Sequence, residues 1–263
     1  MRNEIFPGAA APAAFAVSTA IKDLRLALLV ALSGLLSATA HATDTFTWSG
    51  SSSLGTPVSF QADLTISGDT LTVQLFNSSP TNSLGPNDML SSFYFDIVGV
   101  GNTRPTLTYW TAVGDVYLGD KNNPDILQTA NANLKADKAR DYAWQFKTMS
   151  DAANPFLGFG LGTVGNSDLT LNNFNGNVVS GFNYSIYRND VVTQNLNDTL
   201  LVKDTATFTF TGLTGFTEAD IAPTVAFGLG TAPDRLHIVP EPGSATLVGL
   251  GVVGLLVICR RKK

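Results

Sequence analysis

Residues 58–75 read VSFQADLTISGDTLTVQL, and this stretch decides the fold class. Val58, Phe60, Ala62, Leu64 and Ile66 alternate with Ser59, Gln61, Asp63 and Thr65. Leu71, Val73 and Leu75 resume the beat after Ser67-Gly68-Asp69. A period of two puts every apolar residue on one face of an extended chain, whereas a helix would scatter them around its circumference. Two such runs about a short Gly-containing turn predict a β-hairpin with one buried and one wet face.

The same beat recurs along the chain. Phe93, Phe95 and Ile97 predict another strand, and Leu107-Thr-Tyr-Trp-Thr the next. Tyr142, Trp144 and Phe146 alternate with Ala143 and Gln145. Further runs are Leu169/Leu171, Phe182/Tyr184/Ile186, Ala206/Phe208/Phe210 and Val225/Phe227/Leu229. Residues 126–140, rich in Ala, Asn and Lys, read as a short helix or a long surface loop. About ten short strands with few helix signals predict an all-β body, an antiparallel β-sandwich or jelly roll. No fixed-period repeat points to a solenoid or propeller.

The ends of the chain are of another kind. Lys22 and Arg25 precede an apolar run at 26–36, and Ala40-His41-Ala42 supplies the small residues that a signal peptidase accepts. The expectation is a signal helix within 1–42, cleavage at Ala40 and Ala42, and a mature body from Thr43. The residues before Lys22 are unusual for a leader, which favours a start downstream at a non-AUG codon over a long n-region. At the other end, Pro240-Glu241-Pro242 is followed by 15 uncharged residues, 245–259, and then Arg260, Arg261, Lys262 and Lys263. As a helix that run covers about 22 Å, short of the ~30 Å hydrocarbon core but within the mismatch that thinning and snorkelling accommodate. The cationic end marks the cytoplasmic side. The two prolines hold the chain extended and bar a helix from running through, leaving a stiff peptide for a processing enzyme. Three segments follow: 1–42, an exported domain at 43–238, and a C-terminal signal with a transmembrane helix at 239–263.

Pro240-Glu241-Pro242, the hydrophobic span and the terminal Arg260-Arg261 cluster resemble the PEP-CTERM sorting signal of Gram-negative bacteria. The resemblance implies recognition by an exosortase, an integral-membrane enzyme with a cysteine-protease-like site, after passage through the export machinery. It further implies transient residence in the cytoplasmic membrane, removal of the tail, and delivery to the cell surface or extracellular matrix. The body resembles one group of exosortase-dependent surface proteins at 87–97, 142–146, 158–165, 205–212 and 227–231. That likeness implies a surface domain in a biofilm matrix or floc, with extracellular polysaccharide as a candidate partner.

Composition narrows the chemistry. Between 43 and 242 the chain carries nine Lys/Arg against nineteen Asp/Glu, a net charge of −10, while seven of the sixteen cations sit in the two end segments. Such a body disfavours nucleic acid or anionic lipid as partner and leaves cationic partners or divalent metals open. The single cysteine, Cys259, lies in the tail, so the body has neither disulfide nor thiol nucleophile. His41 leaves with the leader, and His237, just before the sorting motif, reads as an exposed residue of an edge strand. A Ser-His-Asp triad or a His-rich zinc site has almost no material.

The remaining candidates have plain readings. Asp115, Asp120, Asn122 and Asp125 are candidate hard-oxygen ligands for Ca²⁺, yet 120–125 lacks an EF-hand's sixth-position Gly and closing Glu, so solvated turn residues are the preferred reading. The glycine run at 158–165 lacks a following helix to receive a phosphate, and reads as a bend or bulge between strands. Trp110 and Tyr109 point to opposite faces, so one of them is core and the other could stack on a sugar ring. Asn77-Ser-Ser79 matches the glycosylation pattern, by chance in a bacterium. Glu218 is the only Glu of the body outside the sorting motif, and no acidic pair is nominated for glycoside hydrolysis. The expected function is a non-enzymatic, cofactor-free structural or adhesive surface protein; the alternative is a secreted carbohydrate-active enzyme or lectin on the same fold.

Overall fold

The computed structural model describes residues 43–108, 110–119, 126–135, 144–149, 158–163, 183–188, 199–230 and 236–240. The expected signal helix, the transmembrane helix and the strand at Leu169/Leu171 lie outside the described residues. Within them the structure is all-β, with short 3-10 turns and no α-helix.

The decisive hairpin is β2 (Pro57–Ser67) and β3 (Thr70–Asn77), whose burial alternates residue by residue. Ser67 pairs with Thr70, leaving a two-residue loop whose first member, Gly68, has φ 60°, the position where a tight hairpin favours glycine. β1 (Asp44–Ser51) adds to the free edge of β2. β10 (Thr199–Thr211), the longest strand, pairs with β3 on one side and β5 (Trp110–Gly119) on the other, and β6 (Ile126–Asn133) closes that sheet. The first layer therefore runs β1-β2-β3-β10-β5-β6, all antiparallel.

The second layer is built on β4 (Leu90–Phe95), which lies between β8 (Phe159–Gly162) and β11 (Thr224–Leu229). β7 (Gln145–Thr148) extends it beyond β8, and β12 (Leu236–Pro240) beyond β11. The two-residue β9 (Ile186–Tyr187) joins the layers: it pairs parallel with β10 at Val202–Lys203 and antiparallel with β4 at Leu90. Apolar faces of both layers meet in one core. Phe60 of β2 lies 6.4 Å from Phe227 of β11, and Phe146 of β7 lies 4.8 Å from Phe210 of β10, ring centre to ring centre. Burying each such ring stabilises the body by about 1.5–3 kcal/mol.

Residues 126–133 form strand β6, neither helix nor loop. Its burial is almost wholly exposed on both faces, so an edge strand of this kind carries no apolar beat to read. β5 begins at Trp110, later than Leu107 suggested, although Thr108 N–H still donates to the Thr211 carbonyl at the end of β10. Within the glycine run, Phe159–Gly162 form strand β8, where a bend or bulge was expected. Its Phe159 and Leu161 enter the core, while Gly160 and Gly162 pair with Tyr94 and Ser92.

The two poles of the body differ in what they carry. At one pole lie the Gly68 turn, the chain after β4, residues 212–223, and Pro240. Thr214 N–H and Oγ1 donate to Asp69 Oδ1, Ala222 N–H donates to the Asp96 carbonyl, and Val98 N–H to the Asp220 carbonyl. Asp44, which pairs with Leu64, brings the start of β1 to this same pole. At the opposite pole lie the β1–β2 turn around Leu54 and the chain that leads into β4, where Gly230 N–H donates to the Met89 carbonyl.

Candidate functional site

Two places in the described residues carry candidate function. The first is a polar depression on the outer face of the first layer. Three adjacent strands are irregular at one level. β10 shifts register between Val202 and Ala206, β5 between Gly114 and Val116, and β6 is displaced opposite them. Asp204 and Asn131 take φ of 60° and 49°, the left-handed region that Asn and Asp tolerate best among residues with a side chain. Aligned bulges re-aim side chains and open the surface. The result is a recess of about 470 Å³ lined by Asp115, Tyr117, Asn131, Lys203, Asp204 and Thr205.

Its polar groups are held in place. Asn131 N–H donates to Asp115 Oδ1 at 2.7 Å, and Arg188 Nη1 meets Asp204 Oδ1 at 3.0 Å. Lys203 Nζ sits 5.4 Å from the centre of the Tyr117 ring. Asp115 thus lies inside a bulged strand, not in the solvated turn expected for it. Asp120, Asn122 and Asp125 lie outside the described residues, and among the described residues no group of three His, Cys, Asp or Glu gathers around a common point. With two carboxylates, an amide, an ammonium, hydroxyls and one ring, the recess offers hydrogen bonds to a polyhydroxylated ligand.

The tryptophans do not form an open stacking platform. Trp144 is fully buried against Phe208 at 4.9 Å, and its Nε1 donates to the Tyr184 carbonyl. Trp110, half-buried, stacks on Phe210 with Lys135 Nζ 4.8 Å over its ring. Trp48 stacks on His237 at 3.7 Å. His237 is therefore half-buried across the two layers, in contrast to the exposed edge residue expected. Asn77 of the glycosylation pattern is buried too: its Nδ2 donates to the carbonyls of Asp88 and Ile186.

Sequence reasoning did not find the ion pair of Asp96 and Arg104. Asp96 is fully buried; Arg104 Nη2 reaches Asp96 Oδ2 at 2.6 Å and Nε reaches Oδ1 at 2.8 Å, while Ile97 N–H donates to Oδ1. The hydrogen bonds that the Arg104 guanidinium donates to Asp96 hold it above its ordinary pKa, against a smaller opposing effect of burial. A Cβ on Gly158 would stand 2.0 Å from Asp96 Oδ1, so the first glycine of the 158–165 run leaves room for this pair.

The second place is the junction at the C-terminal end of β12. Pro240 pairs with Thr224, and Val239, which pairs with Val225, is 93% shielded from solvent (7% exposed). The sheet therefore extends to the first proline of Pro-Glu-Pro, with no linker between the last strand and the motif. Glu241, Pro242, Arg260 and Arg261 lie outside the described residues, as do Ala40 and Ala42. Among the described residues no helix is long and apolar enough to cross a membrane.

No curated protein matches the chain. Among solved structures, the KRT10-binding region domain of the pneumococcal serine rich repeat protein PsrP is similar at 11% identity and a TM-score of 0.24, covering 76% of this chain and 99% of that one. The profile of the PEP-CTERM protein-sorting motif matches residues 239–262, the segment that continues directly from β12. Such a signal implies export and membrane-associated sorting toward the cell surface. The chain is a carrier of the PEP-CTERM protein-sorting motif.

Proposed function

We propose that this chain is an exosortase substrate whose acidic β-body is released from its tail and serves a structural or adhesive role at the cell surface, in contact with extracellular polysaccharide. The observation that carries the reading is the sorting motif at 239–262 joined without a linker to a folded β-domain. Two features of the body support a non-enzymatic role. Asp115 and Asp204 already have partners in a backbone N–H and in Arg188, and the recess they line is polar and open. Glycoside hydrolysis needs one carboxyl acting as acid and its mate as base or nucleophile.

Mass spectrometry of the mature C-terminus from the native host tests the sorting step. A terminus upstream of Arg260 is expected, and a retained Arg-Lys end overturns processing. Binding of the purified protein to a glycan array tests the polysaccharide contact, and silence across the array removes that part of the reading while leaving sorting untouched. Release of reducing ends from any bound glycan would favour the secreted carbohydrate-active enzyme instead.

A further inference from the structure

We propose that, before the tail is removed, the pole of the body bearing Pro240 rests on the lipid surface, with the loop around Val100 as its apolar contact. The inference relies on the reading of 245–259 as a membrane-inserted run. Pro240 is fixed in the sheet, and Glu241, Pro242, Gly243 and Ser244 are all that separate it from Ala245. Five Cα steps span about 17 Å at full stretch. The Pro240 pole therefore cannot stand farther than that from the edge of the hydrocarbon core, a distance that takes in the headgroup layer.

What this pole presents fits such a neighbour. Val100 is 95% exposed, more than any other large apolar residue among those described. It follows Val98 and Gly99 on the chain that leaves β4 at the same end of the sheet as Pro240, beyond the neighbouring ends of β11 and β12. A recess of about 390 Å³, apolar over most of its surface, is formed from the same stretch of chain by Val98, Ile221 and Pro223 together with Asn102, Arg104 and Asp220. The guanidinium of Arg104 is already engaged by Asp96, and the body has a net charge of −10. Attraction to anionic headgroups therefore does not drive the contact, and apolar burial at the interface does. Leu54 provides an internal control. It is also apolar and exposed, at 55%, but belongs to the opposite pole.

The test uses the full chain with Cys259→Ser, reconstituted in phosphatidylcholine vesicles, with an environment-sensitive fluorophore on Val100→Cys or on Leu54→Cys. The expected result is flotation with the vesicles, a blue shift of the Val100 label, and its quenching by headgroup-labelled lipid. The Leu54 label should stay unshifted, and 0.5 M salt should leave the pattern unchanged. Flotation with both labels equally wet overturns the lipid contact alone. Failure to float overturns it together with the inserted tail on which it rests. A Val100 shift that tracks protein concentration in lipid-free detergent assigns the loop to a second copy of the chain and also overturns the proposal.

Discussion

Arg104 and Asp96 concentrate the largest single-residue effect outside the aromatic core. Removing the guanidinium leaves a fully buried carboxylate with only the Ile97 N–H against its charge. Breaking a buried pair from one side costs ~3–5 kcal/mol, and partial solvent access to Arg104 places this one toward the lower end. Urea unfolding of Arg104→Ala should show a loss of about 3 kcal/mol, with Arg104→Lys intermediate because an ammonium cannot bridge both oxygens. Asp69 supplies a pH effect. The Thr214 hydroxyl holds its carboxyl below the ordinary range, against an opposing desolvation and with help from the backbone N–H groups of 212–214. A carboxyl depressed in the folded state stabilises the fold above the ordinary aspartate pKa. That contribution fades as pH falls through the lower, folded-state value. Thr214→Val should therefore lower the melting temperature at pH 7 more than at pH 2.5, and equal losses at both would remove Asp69 as the cause. None of this was legible in the sequence. Asp96, just past a strand, and Asp69, in a hairpin turn, look like any other aspartates until the fold brings Arg104 and Thr214 to them.

At the scale of elements, what could be read depended on how many faces of a strand are wet. β2, β3 and the second half of β10 bury one face, and their alternation was plain. β4 is buried on all six residues and β8 on all four. In β4 only Phe93 and Phe95 gave the beat, and β8 gave none, its glycine run being read as a bend. β6 failed in the opposite sense, with polar residues on both faces, and was missed as a strand. The bulges left no signal either, since Asn131 and Asp204 are ordinary residues in polar stretches and their positive φ arises from register with neighbours distant in sequence. Gly212 is a case where glycine is required. It has φ 108°, and a Cβ there would lie 2.2 Å from the Thr106 carbonyl oxygen, at the place where β10 hands the chain to the Pro240 pole. Gly212→Ala should cost more than about 1 kcal/mol, read as a lowered melting temperature with the β circular dichroism signal retained at 20 °C.

For the whole molecule, two layers share one core, and Phe60 of β2 and Phe227 of β11 are one of the places where they meet. Either ring replaced by Ala should cost ~3–5 kcal/mol. Because the rings touch, the double substitution should cost less than the sum of the two, by a coupling of at least about 0.5 kcal/mol. Strict additivity in chemical denaturation would mean that the layers are held by other contacts. The sorting signal was legible at this scale because it is written in linear order. Its attachment to the fold was not, since nothing in the sequence says that Pro240 is itself a rung of the sheet.

That rung has a mechanical consequence. β12 is joined to β11 by five residue pairs, from Thr224–Pro240 to Gly228–Leu236, and ladder hydrogen bonds lie across the strand direction. Tension drawn along the strand from its Pro240 end, with the load held at the far pole, shears all the rungs together. Tension between the tail and the start of β1, which share one pole, pulls crosswise and opens them in turn. In single-molecule pulling, handles on the tail and Leu54 should give the higher rupture force, and handles on the tail and Thr43 the lower; equal forces would deny the strand this bearing role. A body tethered by its last strand can thus stay folded while its outer pole is tugged.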